Sequence, residues 1–173
     1  MIRAQPHEGP VLQLRLPFQH EVSVAASPEE TFRLLADVSD SAAHFPQIEA
    51  VVPQPAGAWT WRLEKIGLGK ISVQTVYALR YTQLPDEHTI SWEPVAGIGN
   101  GTCRGSWVIV PTEAGVRLKF ENVLDVRFRG IPSLLRRVVE PFAIQENARI
   151  VRGYMENLGE TLSGGDGRVG AKS

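Results

Sequence analysis

The chain changes its hydrophobic period once, and that change constrains the fold more than any other feature. From Val11 to Phe128, apolar residues recur mostly at every second position, which is typical of strands with one buried face. After Pro132 the spacing becomes helical and stays helical to Leu162. We therefore expect an antiparallel meander of strands followed by one long C-terminal helix.

The strand-like part divides at turn residues into several segments. Pro17 is a candidate break in the first of them, because proline cannot donate to a strand ladder. The predicted strands are Val11 to Ala26, Ala58 to Leu68, Lys70 to Leu84, His88 to Pro94, Thr102 to Val110 and Val116 to Phe128.

Two short helices are expected between the first strand and the meander. Ser27 is a suitable N-cap, and Pro28 suits the first helical position. Asp40 is predicted to cap a second short helical turn. The long helix is predicted over 141–162, with a kink or a fresh start at Pro141. This order predicts an α+β fold, in which one helix crosses a curved sheet and a cavity lies between them.

The length of 173 residues suits one domain. We expect a flexible N-terminal arm over residues 1–10, a single domain over 11–162, and a disordered Gly-rich tail over 163–173. The net charge of −1 comes from 18 basic and 19 acidic residues, so no DNA partner is expected.

Cys103 is the only cysteine, so an intrachain disulfide and a thiolate metal cluster are excluded. The N-terminus has no apolar run behind a basic start, and the chain has no stretch of about 20 apolar residues. These observations predict a cytoplasmic protein without a transmembrane segment. Oligomeric state is not predicted.

Several segments, taken with this order of elements, resemble the START-like superfamily, also called SRPBCC or Bet v 1-like. The similarity is greatest to its polyketide-cyclase and coenzyme-Q-binding branch. The matching segments are Val24 to Phe32, Leu35 to Val38, His44 to Pro46, Gly105 to Ile109 and Val116 to Phe120. The resemblance implies a helix-grip fold with a ligand pocket. Because the superfamily contains lipid carriers, quinone binders, cyclases and partner-binding proteins, it leaves the reaction open.

No metal, cofactor or catalytic residue is predicted. His7, His20, His44 and His88 show no metal-ligand spacing, and His44 is interpreted as a helix-end residue. The glycines from Gly97 to Gly101 resemble a phosphate loop, but a strand follows them where a dinucleotide site requires a helix. We interpret this segment, together with residues 130–132, as a mobile element that controls entry to the cavity.

Cys103 next to Arg104 is a candidate nucleophile, since an adjacent cation lowers a thiol pKa. A lone free cysteine is more often a small buried apolar residue, and we favour that interpretation.

Polar residues on otherwise apolar faces are the most informative candidates for a site. Asn122 is in register with inward-facing apolar residues of its strand, Asn147 falls on the apolar stripe of the long helix, and Thr75 interrupts another inward face. A buried amide needs a hydrogen-bond partner, and a ligand, water or the backbone can provide one. The predicted ligand-binding residues are Trp61, Thr75, Tyr77, Trp92, Trp107, Phe120, Asn122, Asn147, Val151 and Tyr154.

The resemblance, taken with these patterns, implies three possible functions. The first is binding or transport of a small hydrophobic molecule, such as a lipid, a quinone or a polyketide-like ring, without catalysis. The second is a cyclase-, aromatase- or hydrolase-type enzyme in the same cavity, although Glu93, Glu121 and Asp125 fall on the solvent-directed phase of their strands. The third is a protein- or ribosome-binding module. The arginine-rich stretch Arg127–Arg152 is a candidate for peripheral contact with a membrane or a ribosome, or else a solvated face with local ion pairs.

Overall fold

The elements of the computed structural model follow the predicted order. The structure describes residues 9–164, which contain helices α1 (Pro28–Ala36), α2 (Val38–Ala42) and α3 (Arg136–Ser163). The strands are β1 (Val11–Val24), β2 (Ile48–Gln54), β3 (Ala58–Leu63), β4 (Ile66–Leu68), β5 (Ile71–Val73), β6 (Val76–Leu84), β7 (Thr89–Pro94), β8 (Gly101–Thr112) and β9 (Gly115–Arg129). The α+β class with two short helices after the first strand is confirmed.

Seven strands form one antiparallel sheet in the order β1-β9-β8-β7-β6-β3-β2, and β4 pairs with β5 in a separate hairpin. Helix α3 packs against this sheet, and the residues between them form one hydrophobic core. The inward positions alternate along each strand; in β9, for example, every second residue from Val116 to Phe128 is buried. The helix-grip arrangement is therefore confirmed.

The starts of the two short helices are fixed by side-chain caps. The Ser27 hydroxyl accepts a hydrogen bond from the Glu30 N–H at 3.1 Å, as the sequence predicted. The prediction for the second helix was wrong: Asp37, not Asp40, is its cap, and its carboxylate accepts from the Asp40 N–H at 2.9 Å. α1 and α2 consequently follow each other almost without a linker.

Three other boundaries differ from the predictions. β1 runs through Pro17 without a break, and it is an edge strand, where a proline is tolerated. α3 begins at Arg136 and continues through Pro141, so no fresh start occurs there. β2 had no counterpart among the predicted strands.

The two central segments that were predicted as single strands are each divided. The division occurs where the β4–β5 hairpin leaves the sheet. The Leu63 N–H donates to the Thr75 carbonyl at 3.0 Å, and the Gln74 amide donates to the Leu63 carbonyl at 3.0 Å. These bonds close the base of the hairpin. The predicted arm and tail fall largely on residues 1–8 and 165–173, which lie outside the described residues.

Candidate functional site

Two cavities lie between the sheet and α3. The first, called cavity 1, offers about 70 Å³ to the centres of water-sized molecules, and the second, cavity 2, offers about 60 Å³. A single water needs only about 10–15 Å³ by this measure. Each cavity therefore has room for several water-sized groups, and Leu63, Leu124, Asn147 and Ile150 line both.

The structure brings nine of the ten predicted site residues together around cavity 1. They are Trp61, Tyr77, Trp92, Trp107, Phe120, Asn122, Asn147, Val151 and Tyr154. Thr75 lines cavity 2 instead. Their role in binding a ligand stays a prediction, but their inward orientation follows from the strand alternation and the helical stripe that suggested them.

A row of residues across five strands contributes three side chains, those of Asn122, Trp92 and Tyr81, to the lining of cavity 1. Directly paired positions run from Phe18 through Asn122, Gly105 and Trp92 to Tyr81. A β-carbon on Gly105 would lie 2.6 Å from the Trp92 ring and 2.2 Å from the Glu121 carbonyl oxygen. The glycine therefore lets the indole lie close over β8, where its N–H reaches β9.

Asn122 is the polar centre of this row. It is only 9% exposed, and its Oδ1 atom accepts hydrogen bonds from the Trp92 indole at 3.2 Å and from the Cys103 thiol at 2.9 Å. Sequence reasoning predicted that Asn122 faces inward but not these partners. They depend on the register of three strands, which a single-strand pattern does not contain.

Helix α2 closes one side of cavity 1. The Ser41 hydroxyl and the Tyr154 hydroxyl share a short hydrogen bond, and both side chains are buried. Phe45 packs its ring 5.2 Å from Tyr154 and 5.7 Å from Trp61, measured between ring centroids. Ser41 and Phe45 were missed in the sequence, because α2 is too short to show a hydrophobic period.

The titratable side chains of cavity 1 are held in their neutral forms. Burial raises the pKa of Cys103 to about 12 and that of Tyr154 to about 12. Burial also raises the pKa values of Tyr77 and Tyr81 well above their usual range. The inert interpretation of Cys103 agrees with this direction, because a nucleophilic thiol needs a lowered pKa.

In the part of the chain that the structure describes, no Asp or Glu side chain lines cavity 1. Glu93 and Glu121 are exposed, and Asp125 forms an ion pair with Arg15 at 2.9 Å. Glu146 lines cavity 2 and accepts from the Arg149 guanidinium at 2.8 Å. Within residues 9–164, no three His, Cys, Asp or Glu side chains lie close enough together to hold a metal ion.

His44 joins the end of α2 to α3. Its Nδ1 atom is 2.8 Å from the Asp40 carbonyl oxygen, and its Nε2 atom is 2.9 Å from the Thr161 hydroxyl. The Asn157 amide donates to the His44 carbonyl at 2.8 Å. These contacts agree with the interpretation of His44 as a helix-end residue.

The glycine-rich connection from Gly97 to Gly101 is tied to its neighbours by one side chain. Asn100 accepts from the Val76 N–H at 2.9 Å, and its amide donates to the carbonyls of Gln74 at 2.9 Å and Arg127 at 3.1 Å. The next element is β8, as expected for a segment that is not a phosphate loop. Control of entry by this segment would require breaking these bonds and stays a prediction.

The arginines of the 127–152 stretch are divided between β9 and α3. Arg149 is paired with Glu146, and the Arg152 guanidinium carbon lies 5.9 Å from the centre of the Phe18 ring. Arg136 donates to the Gln13 carbonyl and lies near Glu140. Several of these cations are therefore engaged locally. No helix in the described part of the chain has the length and apolar character needed to cross a membrane.

Residues 15–163 match a family model described as polyketide cyclase / dehydrase and lipid transport. A search of curated proteins finds no match.

Solved structures show the same fold at low sequence identity. The Zhui aromatase/cyclase from Streptomyces sp. R1128 has a TM-score of 0.58 and 18% identity, over 89% of this chain and 99% of that one. A STAR-related lipid transfer protein fragment from Xanthomonas axonopodis has a TM-score of 0.54 and 19% identity, over 92% and 96% of the two chains. A START superfamily protein from Mycobacterium smegmatis has a TM-score of 0.56 and 15% identity, over 86% and 96%.

Proposed function

The chain belongs to the polyketide cyclase / dehydrase and lipid transport family, and from that premise we propose that it binds or carries a small hydrophobic molecule in cavity 1 without catalysing a reaction. A lipid, a quinone or a polyketide-like ring is the class of ligand we expect. The observation that carries the proposal is the lining of cavity 1. It is aromatic and aliphatic, carries few polar groups, and among residues 9–164 includes no Asp, Glu, Lys, Arg or His.

The driving force is burial of apolar surface. Each Å² of apolar surface removed from water contributes about 25 cal/mol before the costs of association. Trp61, Tyr77 and Trp107 offer flat faces for a ring or a chain, and a small number of polar groups fixes the orientation. Asn122 and Asn147 are the amides in this lining, so we assign them the polar end of the ligand.

The alternative function, a cyclase-, aromatase- or hydrolase-type enzyme, requires a group that exchanges a proton near neutral pH. Burial holds Cys103 and Tyr154 in their protonated forms, since it raises both pKa values to about 12. Glu146 lines cavity 2 but not cavity 1, and it forms an ion pair with Arg149. These observations favour binding over catalysis.

The direct test is to purify the protein under native conditions, extract it with organic solvent and identify enriched molecules by mass spectrometry against a mock purification. A matched pair of variants locates the ligand. Val151→Phe adds a ring at a buried wall of cavity 1, whereas Val52→Phe makes the same change at an exposed position on β2. We expect Val151→Phe to lose the extracted molecule and Val52→Phe to retain it. Equal amounts in both variants would contradict binding in cavity 1.

A second candidate function, contact with a lipid surface, is favoured by exposed apolar residues beside the arginines. Leu134 and Val138 are 78% and 63% exposed, and with Phe142 they follow each other at four-residue spacing. Phe142 lines cavity 2, so this stripe leads from the surface to a cavity. Arg137 adds an exposed positive charge that suits anionic lipid head groups.

Flotation with phospholipid vesicles tests this contact. We expect the protein to float with vesicles that contain an anionic phospholipid and to bind less to pure phosphatidylcholine. Leu134→Ser should weaken flotation, and Val52→Ser, at an exposed residue of β2, is the matched control. Salt-sensitive retention on ribosomes without flotation would instead support the protein- or ribosome-binding module.

A further inference from the structure

The amide of Asn122 has a defined orientation. Its two partners on the strand side, the Trp92 indole N–H and the Cys103 thiol, are both hydrogen-bond donors. An amide turned the other way would place its NH2 group against the indole N–H, so the acceptor oxygen must face Trp92 and Cys103. The Nδ2 donors then point away from Trp92 and Cys103, on the side of Asn122 that lines cavity 1.

The position of this group makes it a ligand contact. Asn122 lines cavity 1 and is more than nine-tenths buried, so its Nδ2 donors face a mostly apolar space. A buried donor without an acceptor is unfavourable, and a ligand atom that accepts the hydrogen bond removes the penalty. Trp61, on β3, likewise lines cavity 1, and within residues 9–164 its buried indole N–H has no acceptor in hydrogen-bond geometry.

We infer that the Asn122 amide, oriented by Trp92 and Cys103, selects uncharged ligands that carry a hydrogen-bond acceptor, such as a ring carbonyl, at this point of cavity 1. The inference rests on the proposed function, which it narrows to a ligand class. A carboxylate would bring a charge into a lining that contains no counter-ion, and a pure hydrocarbon would leave the amide unpaired.

Cys103 acts in this scheme as a positioning residue. Its thiol does not react; it donates a hydrogen bond to the Asn122 oxygen and so directs the opposite side of the amide to the ligand. Because burial favours the protonated thiol, this donor is present throughout the neutral pH range.

The test uses two probes of similar shape, 1-tetralone and tetralin, which differ by one carbonyl oxygen. Their dissociation constants are measured by calorimetry for the wild-type protein and for Asn122→Leu. We expect the variant to lose about tenfold in affinity for the ketone and to keep its affinity for the hydrocarbon. Comparison of each probe between the two proteins cancels the different transfer free energies of the probes from water.

Infrared spectroscopy gives a readout that a merely structural role of Asn122 would not produce. The carbonyl stretch of bound 1-tetralone should lie at lower frequency in the wild-type protein than in Asn122→Leu. Cys103→Val removes the thiol donor and adds only one heavy atom, so the frequency shift should shrink, and Cys103→Ser, which restores a donor, should recover it. These variants keep Asn122 and test the orientation even if Asn122→Leu folds poorly.

The outcomes separate this inference from the proposed function. If both probes bind the wild-type protein and Asn122→Leu weakens them equally or not at all, acceptor selection is wrong while binding of a hydrophobic molecule stands. If neither probe binds, both fail. A carbonyl frequency that is the same in all four proteins would also overturn the role of the amide.

Discussion

The hydroxyl pair of Ser41 and Tyr154 connects α2 to α3 across the rim of cavity 1. Both side chains are about 5% exposed, so either hydroxyl alone would be a buried polar group without its partner. We expect Tyr154→Phe to lower the free energy of unfolding by about 1–3 kcal/mol. Urea unfolding followed by circular dichroism measures this loss.

A double-mutant cycle provides the control for this pair. In the background of Ser41→Ala, Tyr154→Phe removes no partner, because the second hydroxyl is already absent. We expect the double variant to be less destabilised than the sum of the two single changes. Simple additivity would show that the two hydroxyls do not depend on each other.

The buried thiol of Cys103 predicts a pH dependence of stability. Burial raises its pKa from 9.0 to about 12, so below pH 9 the thiol is protonated in both the folded and the unfolded chain. Above pH 9 the unfolded chain loses the proton and the folded chain retains it. The free energy of unfolding therefore falls, by about 1.4 kcal/mol per pH unit for this group.

Cys103→Val removes this titration and keeps an apolar side chain at the buried position. We expect its stability to decline less than that of the wild-type protein between pH 9 and about pH 10, as measured by urea unfolding at each pH. Tyr154, whose pKa is raised from 10.0 to about 12, adds its own decline above that range in both proteins. Parallel curves for the two proteins from pH 9 upward would contradict a raised thiol pKa.

For single residues, the sequence predicted which way a side chain points but not which groups it hydrogen-bonds. The inward orientation of Asn122 followed from its phase among Phe120 and Leu124, because strand residues alternate between two faces. The bonds to Trp92 and Cys103 could not be predicted. They need the register of β7, β8 and β9 and the space that Gly105 leaves for the indole.

The glycine-rich segment between β7 and β8 contains two glycines that differ in how much space a side chain would have. Gly97 and Gly99 both have positive φ, but a β-carbon would meet nothing at Gly97, whereas at Gly99 it would lie 2.0 Å from the Val76 carbonyl oxygen. We expect Gly97→Ala to cost about 1 kcal/mol of stability through backbone strain alone, and Gly99→Ala to cost at least about 2 kcal/mol more. Thermal unfolding compares them.

The pair also tests whether this segment is fixed to β6. Gly99→Ala should expose the segment to limited proteolysis, because the clash separates it from Val76 and disturbs the bonds of Asn100. If both variants lose the same stability, the close approach to β6 is not maintained in solution, and the predicted entry role of the segment would gain support.

Helix and strand boundaries were predictable where local chemistry determines them. Ser27 followed by Pro28 marked the start of α1 correctly, because capping acts within one helical turn. Neither a strand break at Pro17 nor a fresh helix start at Pro141 occurs, because the effect of a proline depends on its surroundings. Pro17 lies in an edge strand. Pro141 lies inside α3, and this helix continues past it despite the hydrogen bond that proline cannot donate, because the helix packs against the sheet.

For the whole molecule, the alternation from Val11 to Phe128 and the helical stripe after Pro132 were sufficient to predict one sheet, one long helix and a space between them. The division of that space into two cavities was not predictable. It depends on where the rotamers of Leu63, Leu124, Asn147 and Ile150 place their atoms between the sheet and α3. These four residues line both cavities and form a wall between them, and we predict that this wall limits the size of the ligand.

Removal of one residue of this wall should change ligand size preference. Ile150 is 4% exposed and lines both cavities, so Ile150→Ala joins them and costs about 2–5 kcal/mol of stability.

Ile109→Ala is the matched control, because Ile109 is 2% exposed in the same core and lines neither cavity. We expect both variants to be destabilised, but only Ile150→Ala to bind pyrene more tightly relative to tetralin, by about tenfold. Calorimetry with the two hydrocarbons measures that ratio. If the ratio rises equally in both variants, general loosening of the core explains it, and if it rises in neither, the wall does not limit ligand size.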